Sequence, residues 1–167
     1  MTRIVRWMAP AFIALLLLLG TFGVAAAADS KPTKPPQAAN AELEKQYSLR
    51  QQQLRSLYKM ITRAQRRSAE ISTMITYAKS KGVNTAALEQ ALATYNTKLV
   101  AARAAWQTAS AALASHTGFS NAGKVTNLDQ ARATLNTARS ALELSYRTAQ
   151  SAEELLNKAL AAFRSKK

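Results

Sequence analysis

The densest cluster of chemically capable side chains in this sequence is cationic: Arg55, Lys59, Arg63, Arg66 and Arg67. Steps of three and four keep Arg55, Lys59, Arg63 and Arg66 on one side of a helix. Between Asn40 and Lys81, nine Lys or Arg stand against three acids. Such a face attracts phosphate or carboxylate groups, with strong salt dependence and little chemical specificity. A merely solvated helix face carries the same pattern. Sequence-specific nucleic-acid readout is disfavoured, because no aromatic stacking platform accompanies the arginines.

Acid–base and covalent chemistry find little to work with. The chain has one histidine, His116, no cysteine and nine scattered acids. Ser115 and Ser120 are near His116 in sequence, but His116 falls on an apolar seam at a helix end. A structural histidine capping carbonyls accounts for it better than a nucleophile–base pair. Metal ligation by His116 lacks further ligands. Gly123, Val125 and Asp129 have the spacing of a calcium loop, but Gly118, Ser120 and Ala122 occupy the positions where carboxylates are needed. No catalytic set, cofactor or metal is expected.

The elements that hold these residues are three amphipathic helices. Apolar residues recur at alternating steps of three and four in three runs: Leu43 to Ala78, interrupted by Arg50 and Ser68; Leu88 to Leu113; and Leu128 to Phe163, interrupted by Ser145. This is the spacing of coiled-coil-like seams. It predicts an all-α, up-down-up antiparallel three-helix bundle with helices at about 40–80, 85–116 and 128–164. Antiparallel pairing of the second and third runs sets Trp106 opposite Ala138, Ala102 opposite Leu142 and Tyr95 opposite Ala149, large against small. Pairing the first two runs sets Ile61 opposite Trp106 and Leu54 opposite Leu113. Ser68 and Ser145 meet the level of Leu99 and could form one serine layer.

Punctuation supports the helix ends. Gly82 is a left-handed stop after Lys79 and Lys81. Asn84 is placed to cap the second helix, with Val83 stapled onto Leu88. Gly118 supplies the left-handed position after the second helix, and Asn127 with Gln130 forms a capping box for the third. The first helix outruns the second, so Leu43 and Tyr47 project beyond it. Phe119 and Val125, flanking an Asn121-Ala122-Gly123 turn, are the nearest cover. Uncovered, Leu43, Tyr47, Phe119 and Val125 would form an apolar end patch suited to self-association or partner binding.

The first residues are of another kind. Arg3 and Arg6 precede the apolar run Ala11 to Leu19, and Ala26-Ala27-Ala28 gives a small-residue cleavage site. Residues 1–28 read as a signal peptide cleaved after Ala28, with an N-terminal membrane anchor as the alternative. Either route exports the chain across the cytoplasmic membrane, to the periplasm, the cell surface or the medium. Residues 29–41, with Pro32, Pro35 and Pro36, read as a tether, leaving 42–167 as the bundle domain.

Net charge is +14 for the whole chain and falls to +12 once Arg3 and Arg6 leave with residues 1–28. That balance favours anionic partners: lipid headgroups, envelope polymers or an acidic protein. The expected function is an exported, non-enzymatic helical module with a basic face on its first helix. The profile of an exported, basic, cysteine-free helical chain also resembles small periplasmic holdase chaperones, which makes an extracytoplasmic holdase the alternative. That resemblance is one of composition and carries no residue roles.

Overall fold

The computed structural model describes residues 36–165, so the expected signal peptide and most of the expected tether lie outside the described residues. Three helices follow in order: α1 (Pro36–Ser80), α2 (Ala86–Ala114) and α3 (Leu128–Arg164). They pack as the all-α three-helix bundle that the seams predict, and α2 lies closest to α3. No helix among the described residues is long and apolar enough to cross a membrane.

α1 starts at Pro36, so residues 36–41, assigned to the tether above, are helical. Proline at a first helical position lacks only an N–H that would have no intrahelical partner, and Ala38 and Ala39 favour the helix behind it. At the other end Gly82 has φ +73°. Its N–H donates to Lys79 O (2.9 Å) and the Val83 N–H to Ala78 O (3.1 Å). This is the paired-bond stop expected of a left-handed glycine.

The start of α2 differs from expectation by one residue. Thr85 is the capping position, and Asn84 Oδ1 accepts from the Ala86 N–H at 3.1 Å. Thr85 is buried and its hydroxyl donates to Glu89. The expected staple is absent, because Val83 is 36% exposed. Asn127 caps α3, accepting from the Gln130 N–H at 3.0 Å, but the expected box is half formed, since the Asn127 N–H donates to Gly118 O at 3.3 Å.

α2 and α3 meet along an alanine-lined interface. Ala102, Ala109, Ala131, Ala138 and Ala152 are wholly buried, and small residues let two helix axes approach closely. The register there differs from the pairing read above. Ser145 Oγ donates to Ala102 O at 2.7 Å and Tyr95 Oη to Glu153 Oε1 at 2.6 Å. Relative to the expected partners Leu142 and Ala149, α3 is displaced by about one turn. Trp106 consequently does not face Ala138. An indole does not fit between close-packed alanines, so the ring turns to α1, joins the layer of Leu57 and Ile61, and lies 5.3 Å from the Tyr58 ring. Its Nε1–H donates to Leu54 O at 2.9 Å.

The serine layer also dissolves into two separate bonds. Ser145 is fully buried against α2, whereas Ser68 Oγ pairs with Asn96 Oδ1 at 2.6 Å.

α2 ends two residues before the expected limit, and His116 rather than Gly118 takes the first left-handed position, at φ +51°. Gly118, at φ +83°, serves a closer constraint. A Cβ there would lie 2.1 Å from Ala131 N, because the Gly118 carbonyl accepts from Thr126 and Asn127 at the entrance to α3 (2.9 and 3.3 Å). Gly118→Ala should therefore destabilise the bundle by about 3 kcal/mol or more. Gly82→Ala, with open space at its Cβ, should cost only about 1 kcal/mol for the backbone conformation. Urea unfolding of the two variants checks the contrast, and equal losses would show that the loop does not abut α3.

Candidate anionic-contact face

The five cations singled out in α1 do not act as one group. Arg55, Lys59, Arg63 and Arg66 are exposed and make no ion pair or hydrogen bond among the described residues. They run for about 17 Å along the helix. Arg67 leaves them, because one residue advances the side chain about 100° round the helix. That step points it at α3, where it pairs with Glu153 and donates to Asn157 Oδ1 at 2.6 Å. Glu70, four residues beyond Arg66, is exposed on the same outer surface and offsets one charge.

Most other acids are already paired. Lys124 Nζ lies 2.8 Å from Glu44, Lys79 Nζ 3.1 Å from Glu89, and Arg132 3.8 Å from Asp129; Arg147 bonds Glu143. The outer face of α1 is thus the place where positive charge stays uncompensated over several turns. Arg50 is a further cation, which the sequence shows only as a break in the seam. It is half-buried and gives Nη1 to Gln53 (2.7 Å), while its Nε has no partner. Burial, then the nearby Arg139, holds its pKa below the ordinary guanidinium value, against the pull of Glu143.

The apolar end patch exists as residues but not as a surface. Tyr47 and Phe119 are 3% and 5% exposed and stack with ring centroids 4.3 Å apart. Leu43 and Val125 pack on the same cluster. The loop between α2 and α3 forms one antiparallel bridge, Phe119 with Val125. Glu44 clamps it by accepting from Lys124 and from the Val125 N–H at 3.2 Å, and those two bonds hold the Glu44 carboxyl below the usual range. Cover by the loop removes the exposed patch on which self-association through this overhang would rest. His116 also departs from expectation. Its ring sits against Tyr47, with Nδ1 2.9 Å from Tyr47 Oη, which also lies 2.8 Å from Leu113 O.

A part-buried polar assembly ties all three helices. Tyr95 of α2, with no exposed surface, donates to Glu153 of α3 and lies 3.1 Å from Ala64 O of α1; Arg67 of α1 holds the other carboxylate oxygen. Charge and burial place it among structural contacts: no histidine, cysteine or metal-type cluster joins it among the described residues. Comparisons with protein-family models, curated proteins and solved structures return no match. The site is therefore read from its geometry.

Burial, then the bond to Glu153, raises the Tyr95 phenol well above its ordinary pKa. A raised pKa means the neutral phenol contributes stability in full below the unfolded value, about 10, and loses it as pH climbs beyond. In ultraviolet titration of folded protein, Tyr95→Phe and the parent should give the same phenolate absorbance up to about pH 11. After unfolding in denaturant they should differ by one tyrosine. A difference already present in the folded state would show that Tyr95 ionises freely.

Proposed function

We propose that this chain is an exported, non-enzymatic helical module whose outer α1 face makes an electrostatic contact with an anionic surface. The observation that carries this reading is the row Arg55, Lys59, Arg63 and Arg66, exposed and unpaired among the described residues while five acids are bound to cations elsewhere. Lipid headgroups, envelope polymers and acidic proteins present the required charge. The single histidine is engaged by a tyrosine hydroxyl, which supports a binding role over catalysis. The holdase alternative keeps the basic surface but loses its apolar end, which lies beneath the loop.

Magnitude limits what this face can do alone. A basic residue near an anionic membrane contributes about 1 kcal/mol. Four cations less the opposing Glu70 give about 3 kcal/mol, weaker than a millimolar dissociation constant. The contact is therefore one of many charges acting together, as on a membrane or polymer that gathers many copies.

Sedimentation with vesicles tests it at millimolar lipid. The protein should pellet with anionic but not neutral vesicles, and release at about 1 M salt, where the screening length is about 3 Å. Replacing Arg55, Lys59, Arg63 and Arg66 together by Gln should cut binding by about a hundredfold or more while leaving helicity unchanged. Binding indifferent to lipid charge, to salt or to these substitutions would remove the proposal.

A further inference from the structure

Beside the basic face, α1 and α2 leave a groove along their outer seam, bridged at one level by the Ser68–Asn96 bond. One part, about 510 Å³, lies among Gln65 and Ser68 of α1 and Asn96, Val100, Arg103 and Gln107 of α2. A second recess of about 120 Å³ shares Gln65 and Arg103 and reaches Tyr58 and Trp106. Along each helix the lining spans roughly 15 Å, about three turns. Its floor is apolar, with Leu99 and Ile61 beneath, and Val100 on its wall is 71% exposed. Tyr58, also on the lining, is 53% exposed, so two large apolar side chains stand open along the groove.

Charge narrows what can lie there. No acid lines either recess, and Arg103 stands exposed with no partner among the described residues. Arg55 and Arg66 follow round α1 from the rim. A second copy would set Arg103 against an equally basic chain of net charge +14, which like-charge repulsion disfavours. A bilayer is flat and reaches protruding groups, whereas Leu99 and Ile61 are recessed. A helix fits: its ridge of side chains can sink between two helices, with three anchors over three turns.

We propose that the α1–α2 groove docks an acidic amphipathic helix of another protein, its apolar ridge on Val100, Tyr58 and Trp106 and its flanking carboxylates on Arg103. Gln65 and Gln107 supply amide donors along the rim. The site stands apart from the outer-face contact, since its apolar floor and Arg103 do not belong to that face.

The test uses the full-length protein and a fluorescently labelled synthetic helix of about 18 residues, long enough to hold its fold in water. It carries Leu and Ala on one ridge and Glu on both flanks; a control replaces each Glu by Lys. Anisotropy should show saturable binding of the Glu peptide and at least about tenfold weaker binding of the Lys peptide. Val100→Asn and Arg103→Gln, both at exposed positions, should each weaken the Glu peptide about tenfold with unchanged circular dichroism. The fourfold Gln variant of the outer face should bind it within about threefold of the parent. Equal binding of both peptides, or no effect of Val100→Asn and Arg103→Gln, would overturn the proposal. So would loss of binding in the fourfold variant alone, or binding of anionic vesicles but of neither peptide.

Discussion

Everything placed on α1 depends on how that helix is fixed in rotation, and polar aromatic contacts do the fixing. Tyr47 of α1 donates to Leu113 O, Trp106 of α2 to Leu54 O, and Tyr95 of α2 reaches both Ala64 O and Glu153. These reach across the α1–α2 seam at three levels along the bundle. Each joins a large ring, which supplies buried area, to a backbone carbonyl that keeps a spare lone pair. The Tyr95 level matters most. Its carboxylate partner also holds Arg67, so one assembly ties α1, α2 and α3 together. Of its members Tyr95 alone is fully buried, and removing its carboxylate partner would leave a desolvated hydroxyl, the costlier side of the hydrogen-bond balance.

The two sides of the bundle are therefore built differently. Between α2 and α3, wholly buried alanines allow close approach, and the Ser145–Ala102 and Tyr95–Glu153 bonds fix the register. Between α1 and α2, rings act as props. A prop holds two helices at the reach of its side chain, and between props the seam is lined by short residues such as Ser68, Asn96 and Ala104, with Ser68 and Asn96 bonded across it. An open groove follows from that choice of residues. The same fixing turns the flank of Arg67 towards α3 and leaves Arg55, Lys59, Arg63 and Arg66 outward.

The sequence made the helices legible because three long seams with capped ends admit few other folds. Gly82, Asn127 and the fold-over of Phe119 and Val125 were readable for local reasons: a left-handed stop, a short polar cap, and an overhang that needed cover. The α2–α3 register was not readable to better than a turn. Alanine recurs so often in both helices that shifting one turn still pairs small with small or large, and only the Ser145 and Tyr95 bonds break the degeneracy. Treating Trp106 as a core residue ignored its need for both space and an acceptor. Four of the five basic residues were legible on the outer face; Arg67 was not, because its partner Glu153 is distant in sequence. The groove left no periodic signal, since it arises from short side chains on two helices that sequence spacing cannot set against each other.

Under the functions proposed, the outer face and the groove divide the work of recognition. Exposed charges attract over a screening length of about 8 Å at physiological salt, and they discriminate poorly among anionic surfaces. They raise encounter rates more than they lengthen residence. A recess with an apolar floor does the reverse: it offers little attraction at a distance, and it rejects any ligand without a complementary ridge. Placing both on one side of α1 means that a partner drawn by the cations arrives beside the groove. Since the aromatic props set both features, loss of the Tyr95 assembly would disturb the two together, although neither contains Tyr95. Such joint loss would be structural in origin, and it differs from the separate losses expected of substitutions at Arg55 or at Val100.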